Sequence, residues 1–107
     1  MNASEIETKV LDATGNEAWG ASGTTLLEIA TSTANEEERN LIQGVLFQRL
    51  RESGSNWRQC YKALNIIEYC IKNGSERFEI YFRLNFHRSS SNLNSLSTVS
   101  FRNGRAT

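Results

Sequence analysis

The chain has 107 residues, 12 basic and 12 acidic, with one histidine and a net charge of zero. That length suits one domain and is too short for two well-formed cores. Balanced charge implies no whole-molecule attraction to nucleic acid or anionic lipid, and charges interrupt the longest apolar windows, so no transmembrane helix is expected.

Helical periodicity dominates residues 1–86, and proline is absent. Met1-Asn2-Ala3-Ser4 holds no basic stretch followed by an apolar run, so no signal peptide is expected. Ser4 and Glu7 fit a capping box that launches a first helix to about Thr14, with Ile6, Val10 and Ala13 on one stripe. Gly15-Asn16 is expected to end it, since both residues tolerate positive φ. After the short connection Trp19–Gly23, Thr24 or Thr25 caps a second helix to about Ser32 that buries Leu26, Leu27, Ile29 and Ala30.

Asn35 caps a third helix, and Glu36-Glu37-Glu38 complement its N-terminal dipole. It runs to about Glu52, burying Leu41, Ile42, Val45, Leu46 and Leu50, until Ser53-Gly54 stops it. Asn56 caps a fourth helix. Its stripe is Trp57, Cys60, Tyr61, Leu64, Ile67 and Ile71, widened by Ala63, Ile66 and Cys70. A helix apolar on most sides belongs near the middle of the molecule. Asn73-Gly74 is a stop signal, and Ser75 caps the segment after it. Short turns between consecutive helices predict an all-α fold of antiparallel neighbours, as a bundle or superhelix. Residues 1–87 form the expected helical domain. Residues 88–107, rich in serine and asparagine, read as a disordered tail.

Enzyme signatures are missing. His87 stands alone at the edge of the tail, whereas metal sites and His-based catalysis need several convergent groups. No phosphate-binding loop or dinucleotide fingerprint occurs, so no cofactor, metal or catalytic residue is expected. Cys60 and Cys70 lie about 15 Å apart along one helix, beyond the roughly 7 Å a disulfide allows, and are expected to be free thiols.

What remains is a basic constellation. Residues 1–38 hold Lys9 against eight acids, and from Arg39 onward eleven bases face four acids, so the two parts carry −7 and +7. Arg58 and Lys62 are four apart on one helical face. An antiparallel turn at Gly54 would bring Arg49 close to them, making a cluster suited to a phosphorylated headgroup. The residues alone leave a solvated basic face and an anion site open, and favour the first.

Six segments, in order and in register over residues 4–77, resemble the epsin N-terminal homology (ENTH) domain. They are Glu5–Thr14, Asn16-Glu17-Ala18-Trp19-Gly20, Glu28-Ile29-Ala30, Phe47-Gln48-Arg49-Leu50, Asn56–Leu64 and Asn73-Gly74-Ser75-Glu76-Arg77. The resemblance implies a right-handed superhelix of α-helices. It implies a phosphoinositide-binding, peripheral membrane adaptor of clathrin-mediated traffic, cytoplasmic and monomeric. Such a module works on coated vesicles, at the Golgi and endosomes or at the plasma membrane, with clathrin coat proteins or SNARE cargo as further partners. It assigns headgroup contacts to Arg49 and Lys62, and places Arg58 and Asn16 nearby. The competing reading is a protein-binding helical scaffold with a decayed lipid site, or a truncated product. A nucleic-acid partner is not expected.

The sequence departs from the family pattern in four ways. The basic N-terminal amphipathic segment of epsins is expected to be missing, and with it deep insertion. A basic residue of the first helix is replaced by Leu11 and a histidine of the fourth by Gln59. Ala18 and Ala21 stand where prolines flank the family's Trp-Gly. Resemblance fades after Arg77, which predicts a truncated superhelix with an uncovered apolar patch.

Overall fold

A computed structural model describes residues 2–87. Among them are α1 (Ala3–Ala13), α2 (Gly23–Ser32), α3 (Glu36–Arg49), a 3-10 turn (Gly54–Asn56), α4 (Trp57–Asn73) and α5 (Glu76–His87), with no strand. The all-α expectation holds. The expected disordered tail, residues 88–107, lies outside the described residues, as does the His87 side chain.

Polar side chains set the helix starts, sometimes one or two residues from where the pattern predicts. The capping box of α1 is made by Asn2 and Glu5, not Ser4 and Glu7. Asn2 is free to take an extended backbone before the helix, and it accepts from the Glu5 amide at 2.9 Å. Ser22 rather than Thr24 or Thr25 caps α2, accepting from the Thr25 amide at 3.1 Å. Asn35 caps α3 as expected, through the Glu38 amide at 2.9 Å. Asn56 precedes α4 but makes no capping bond. Its side chain is committed instead to Glu52 and Asn16.

The helix ends also differ in cause. α1 closes on Thr14, whose φ is −117°, and neither Gly15 nor Asn16 adopts positive φ. α3 ends at Arg49, three residues before the predicted Glu52. Among the described residues Gly54 alone takes a left-handed backbone, at φ 59°, where the chain reverses into the 3-10 turn. Gly74 has φ −104°, so its role is spatial. A Cβ there would lie 2.7 Å from the Cys70 carbonyl oxygen and 2.7 Å from Thr33 Oγ1. Gly74→Ala is therefore expected to cost about 1–3 kcal/mol through overpacking. Gly44 on the open side of α3 meets nothing within 4 Å, and Gly44→Ala is expected to gain about 0.5–1 kcal/mol. Thermal denaturation followed by circular dichroism checks both, and equal shifts of one sign would contradict the close approach at Gly74.

The core joins all five helices: Ile6 and Val10 of α1, Ile29 and Ala30 of α2, Ile42 and Leu46 of α3, Ile66, Ile67 and Cys70 of α4, and Phe78 and Phe82 of α5. α1 lies mainly on α3, and α4 packs against α2, α3 and α5, the central place its apolar breadth predicts. Three residues assigned to the core are not in it. Leu27, Trp57 and Tyr61 are 57%, 51% and 57% exposed. The buried side of α4 is centred on Ala63, Ile66, Ile67 and Cys70, which turns Trp57 and Tyr61 outward. Leu41 is only partly buried. Buried Thr33 ties the far ends together. Its Oγ1 donates to the Ala30 carbonyl at 2.6 Å and accepts from the Ser75 amide at 2.8 Å.

Cys60 and Cys70 are free thiols. Burial pushes the Cys70 thiol up to about 12, and raises Cys60 as well. Both are held neutral by desolvation, which makes Cys70 an inert core residue rather than a nucleophile.

Candidate functional site

Reversal of the chain at Gly54 returns α4 alongside the end of α3. The Cys60 Sγ sits 3.6 Å from the Leu50 carbonyl oxygen, and Arg49 reaches across to α4. Arg49 is half-buried where α1, α3 and α4 meet. Its Nε donates to Thr14 Oγ1 at 3.0 Å, Nη1 to Gln59 Oε1 at 2.9 Å, and Nη2 to the Leu11 carbonyl at 3.3 Å. The positive guanidinium thereby caps the carbonyl end of α1, where the helix dipole is negative and the last turn holds no basic residue of its own. Thr14 is oriented for this by donating its own hydroxyl to the Val10 carbonyl at 2.8 Å. Each terminal guanidinium nitrogen keeps a second N–H beyond these bonds.

Gln59 and Lys62 are three apart on α4 and share a face, which puts Lys62 one turn along from the Arg49 contact. Lys62 is only 7% exposed, and its ammonium has no hydrogen-bond or carboxylate partner among the described residues. That burial falls on the alkyl stem, while the ammonium is not an enclosed atom and stays open to an anion supplied from outside. Neither Leu11 nor Gln59 brings a charge, but both are contacted by Arg49, Leu11 through its carbonyl.

The other two predicted residues occupy the rim. Arg58 lies over the Trp57 ring at 4.8 Å, a cation–π contact that holds it on the outer side of α4. Asn16, exposed in the α1–α2 connection, donates to Asn56 Oδ1 at 2.9 Å, and Asn56 donates to Glu52 at 3.1 Å. The fold thus gathers Arg49 and Lys62 beside one face of α4, directs Arg58 outward, and fixes Asn16 at the start of α4 through Asn56. Thr14, Gln59 and the Leu11 carbonyl were not among the predicted site residues. Gln59 was visible only as a departure from a pattern, and a backbone carbonyl has no sequence signal.

Two further grooves are less suited to an anion. One of about 510 Å³ between α1 and α2 includes Lys9, Asp12 and Trp19. There Lys9 is already paired with Glu28 at 2.7 Å. Another of about 480 Å³ between α3 and α5 includes Arg39 and Arg77. It also holds Glu76, and Arg39 is bonded to the Thr33 carbonyl at 3.0 Å. Among the described residues no cluster of metal-ligating side chains occurs, and no helix is long and apolar enough to cross a membrane.

Known proteins share this frame. A family model described as "ENTH domain" matches residues 3–105, which carries the match past Arg77, where the sequence resemblance fades. The Arabidopsis thaliana protein "Clathrin interactor EPSIN 1" is 52% identical over 77 residues, 72% of this chain and 14% of that protein. The yeast Ent2 ENTH domain superposes with a TM-score of 0.77 at 30% identity, covering 80% of this chain and 65% of that one. The ENTH domain from epsin-2 in complex with phosphatidylinositol 4,5-bisphosphate gives 0.74 at 30% identity, covering 77% and 58%. The chain therefore spans about a seventh of the curated relative's length and under two thirds of either solved domain.

Proposed function

The chain belongs to the ENTH domain family, and from that premise we propose that it is a phosphoinositide-binding, peripheral membrane adaptor module of clathrin-mediated vesicle traffic. The observation that carries this reading is the bond from Arg49 to Gln59, one turn of α4 from Lys62. Arg49 is pre-set by three bonds and retains N–H groups for an anion. Lys62 has a buried stem and an ammonium with no partner among the described residues. An inositol phosphate would supply the missing negative charge, with Arg49 as a planar donor and Lys62 as a compact one. Arg58 and Asn16 border that site. The complex of the epsin-2 ENTH domain with phosphatidylinositol 4,5-bisphosphate supports the ligand class, and the name of the Arabidopsis relative supports a clathrin coat as partner. The module acts by binding, without catalysis, as a monomer on the cytoplasmic face of plasma-membrane or Golgi and endosomal membranes.

One observation favours a second reading, a protein-binding scaffold for SNARE cargo or a coat protein. Arg49 is spent partly on internal bonds, and Leu11 and Gln59 bring no charge to the site. Co-sedimentation with phosphatidylcholine vesicles, with and without individual phosphoinositides, separates the two. Binding is expected to require a phosphoinositide. Lys62→Met keeps the apolar stem and removes the charge. It should weaken binding by about tenfold or more, the loss of one charge-assisted contact. Lys62→Glu should abolish it. A folded, helical chain that ignores phosphoinositides would leave the scaffold as the better account.

A further inference from the structure

We propose that the exposed Trp57–Tyr61 pair on α4 is an interfacial anchor that seats in the headgroup layer of an anionic bilayer. The proposal rests on the phosphoinositide reading, and adds a second, apolar mode of contact beside the headgroup site.

Trp57 and Tyr61 are one helical turn apart, 51% and 57% exposed, with ring centroids 6.3 Å apart. They form a continuous aromatic edge at the start of α4. Neither the indole N–H nor the phenol O–H has a hydrogen-bond partner among the described residues. An aromatic body with an unsatisfied polar tip is matched to the boundary between acyl chains and water. It is poorly matched to either phase alone.

Charge identifies the surface that covers this edge. Helix positions step about 100° around the axis. Tyr61 therefore lies roughly 40° from Trp57, Arg58 about 60° beyond Tyr61, and Lys62 about 40° beyond Arg58. Arg58 stands between the aromatic edge and Lys62, and its guanidinium lies over the Trp57 ring at 4.8 Å. The order around the helix is aromatic, arginine, lysine, and then Gln59 with its Arg49 contact. Acids do not cancel it. Glu68, farther along the exposed side, is paired with Lys72 at 3.9 Å, and the one charge of Glu52, which accepts from the neutral Asn56 amide, is outnumbered by Arg49, Arg58 and Lys62. A protein surface with this complementarity would need matched acidic and apolar strips, whereas an anionic bilayer offers both everywhere. Seating the two rings at headgroup depth leaves Arg58 at phosphate level and directs Lys62 and Arg49 towards a phosphorylated headgroup.

The chain has two tryptophans, so Trp19→Phe leaves Trp57 as the sole indole reporter. That variant is mixed with phosphatidylcholine vesicles with and without phosphatidylinositol 4,5-bisphosphate, and with vesicles containing brominated phosphatidylcholine. Sedimentation is read in parallel. The expected result is phosphoinositide-dependent sedimentation, a blue shift of Trp57 emission and quenching by the brominated lipid. Tyr61→Ala and Trp57→Ala, placed on the exposed side of α4, should together weaken vesicle binding roughly tenfold while the helical signal persists. Sedimentation with unshifted, unquenched Trp57 emission would overturn the anchor and leave the headgroup site standing. Absence of sedimentation by the folded chain would overturn the anchor together with the reading beneath it.

Discussion

Replacing Phe82 with alanine is expected to remove about 3–5 kcal/mol of folding stability, a large part of the roughly 5–15 kcal/mol that a typical domain possesses. Phe82 is fully buried, and its ring lies 4.8 Å from that of Phe78, 5.1 Å from Tyr81 and 6.0 Å from Phe47. Truncation would empty the centre of an aromatic cluster that no smaller neighbour can refill, so the transfer loss and the cavity term add. Leu84, two residues on and 58% exposed, is the control, with an expected change within about 0.5 kcal/mol. Urea titration measures both. A lowered midpoint at unchanged slope for Phe82→Ala is the expected result. Equal midpoints for the two variants would mean that α5 is not docked on α4.

Arg49→Ala should produce the second-largest effect, and should produce it twice. The guanidinium joins Thr14, the Leu11 carbonyl and Gln59. Its removal is expected to cost about 2–3 kcal/mol, because partly buried acceptors on two helices lose a charged donor. For a domain of this size that is a fall in melting temperature on the order of 10 °C. Phosphoinositide binding should fall as well, if the free N–H groups meet the headgroup. Arg49→Lys separates the two roles. A point charge retains attraction for phosphate but has no planar fork with which to span three acceptors. Lysine should therefore restore vesicle binding more than it restores stability. Full recovery of stability by lysine would show that the bonds to α1 and Gln59 matter little.

Much of the helix plan was legible because polar cap residues and apolar spacing coincide, as at Asn35 and through α4. Errors arose where two capping candidates stand close together. Asn2 outcompeted Ser4, and Ser22 outcompeted Thr24 and Thr25, since the residue that caps is the one the preceding chain leaves extended. Trp57 and Tyr61 were assigned inward because an aromatic residue at helical spacing looks like core. Tertiary packing instead chose the opposite edge of α4 for burial. At the candidate site, Arg49 and Lys62 were visible through family motifs. The acceptors that hold Arg49 were not, because two are a threonine hydroxyl and a main-chain oxygen whose placement depends on how α1 meets α3.

The Thr33 junction bears on how the molecule opens. Its hydroxyl spans 42 positions of chain to the Ser75 amide while also closing the last turn of α2. The loop between these points must be closed before the bond can form, and closing it requires α3 and α4 to be in place. Release of α5 would therefore unlatch the end of α2 at the same time. Amide exchange at Ser75 and in the final turn of α2 should share one opening free energy, as a single cooperative unit.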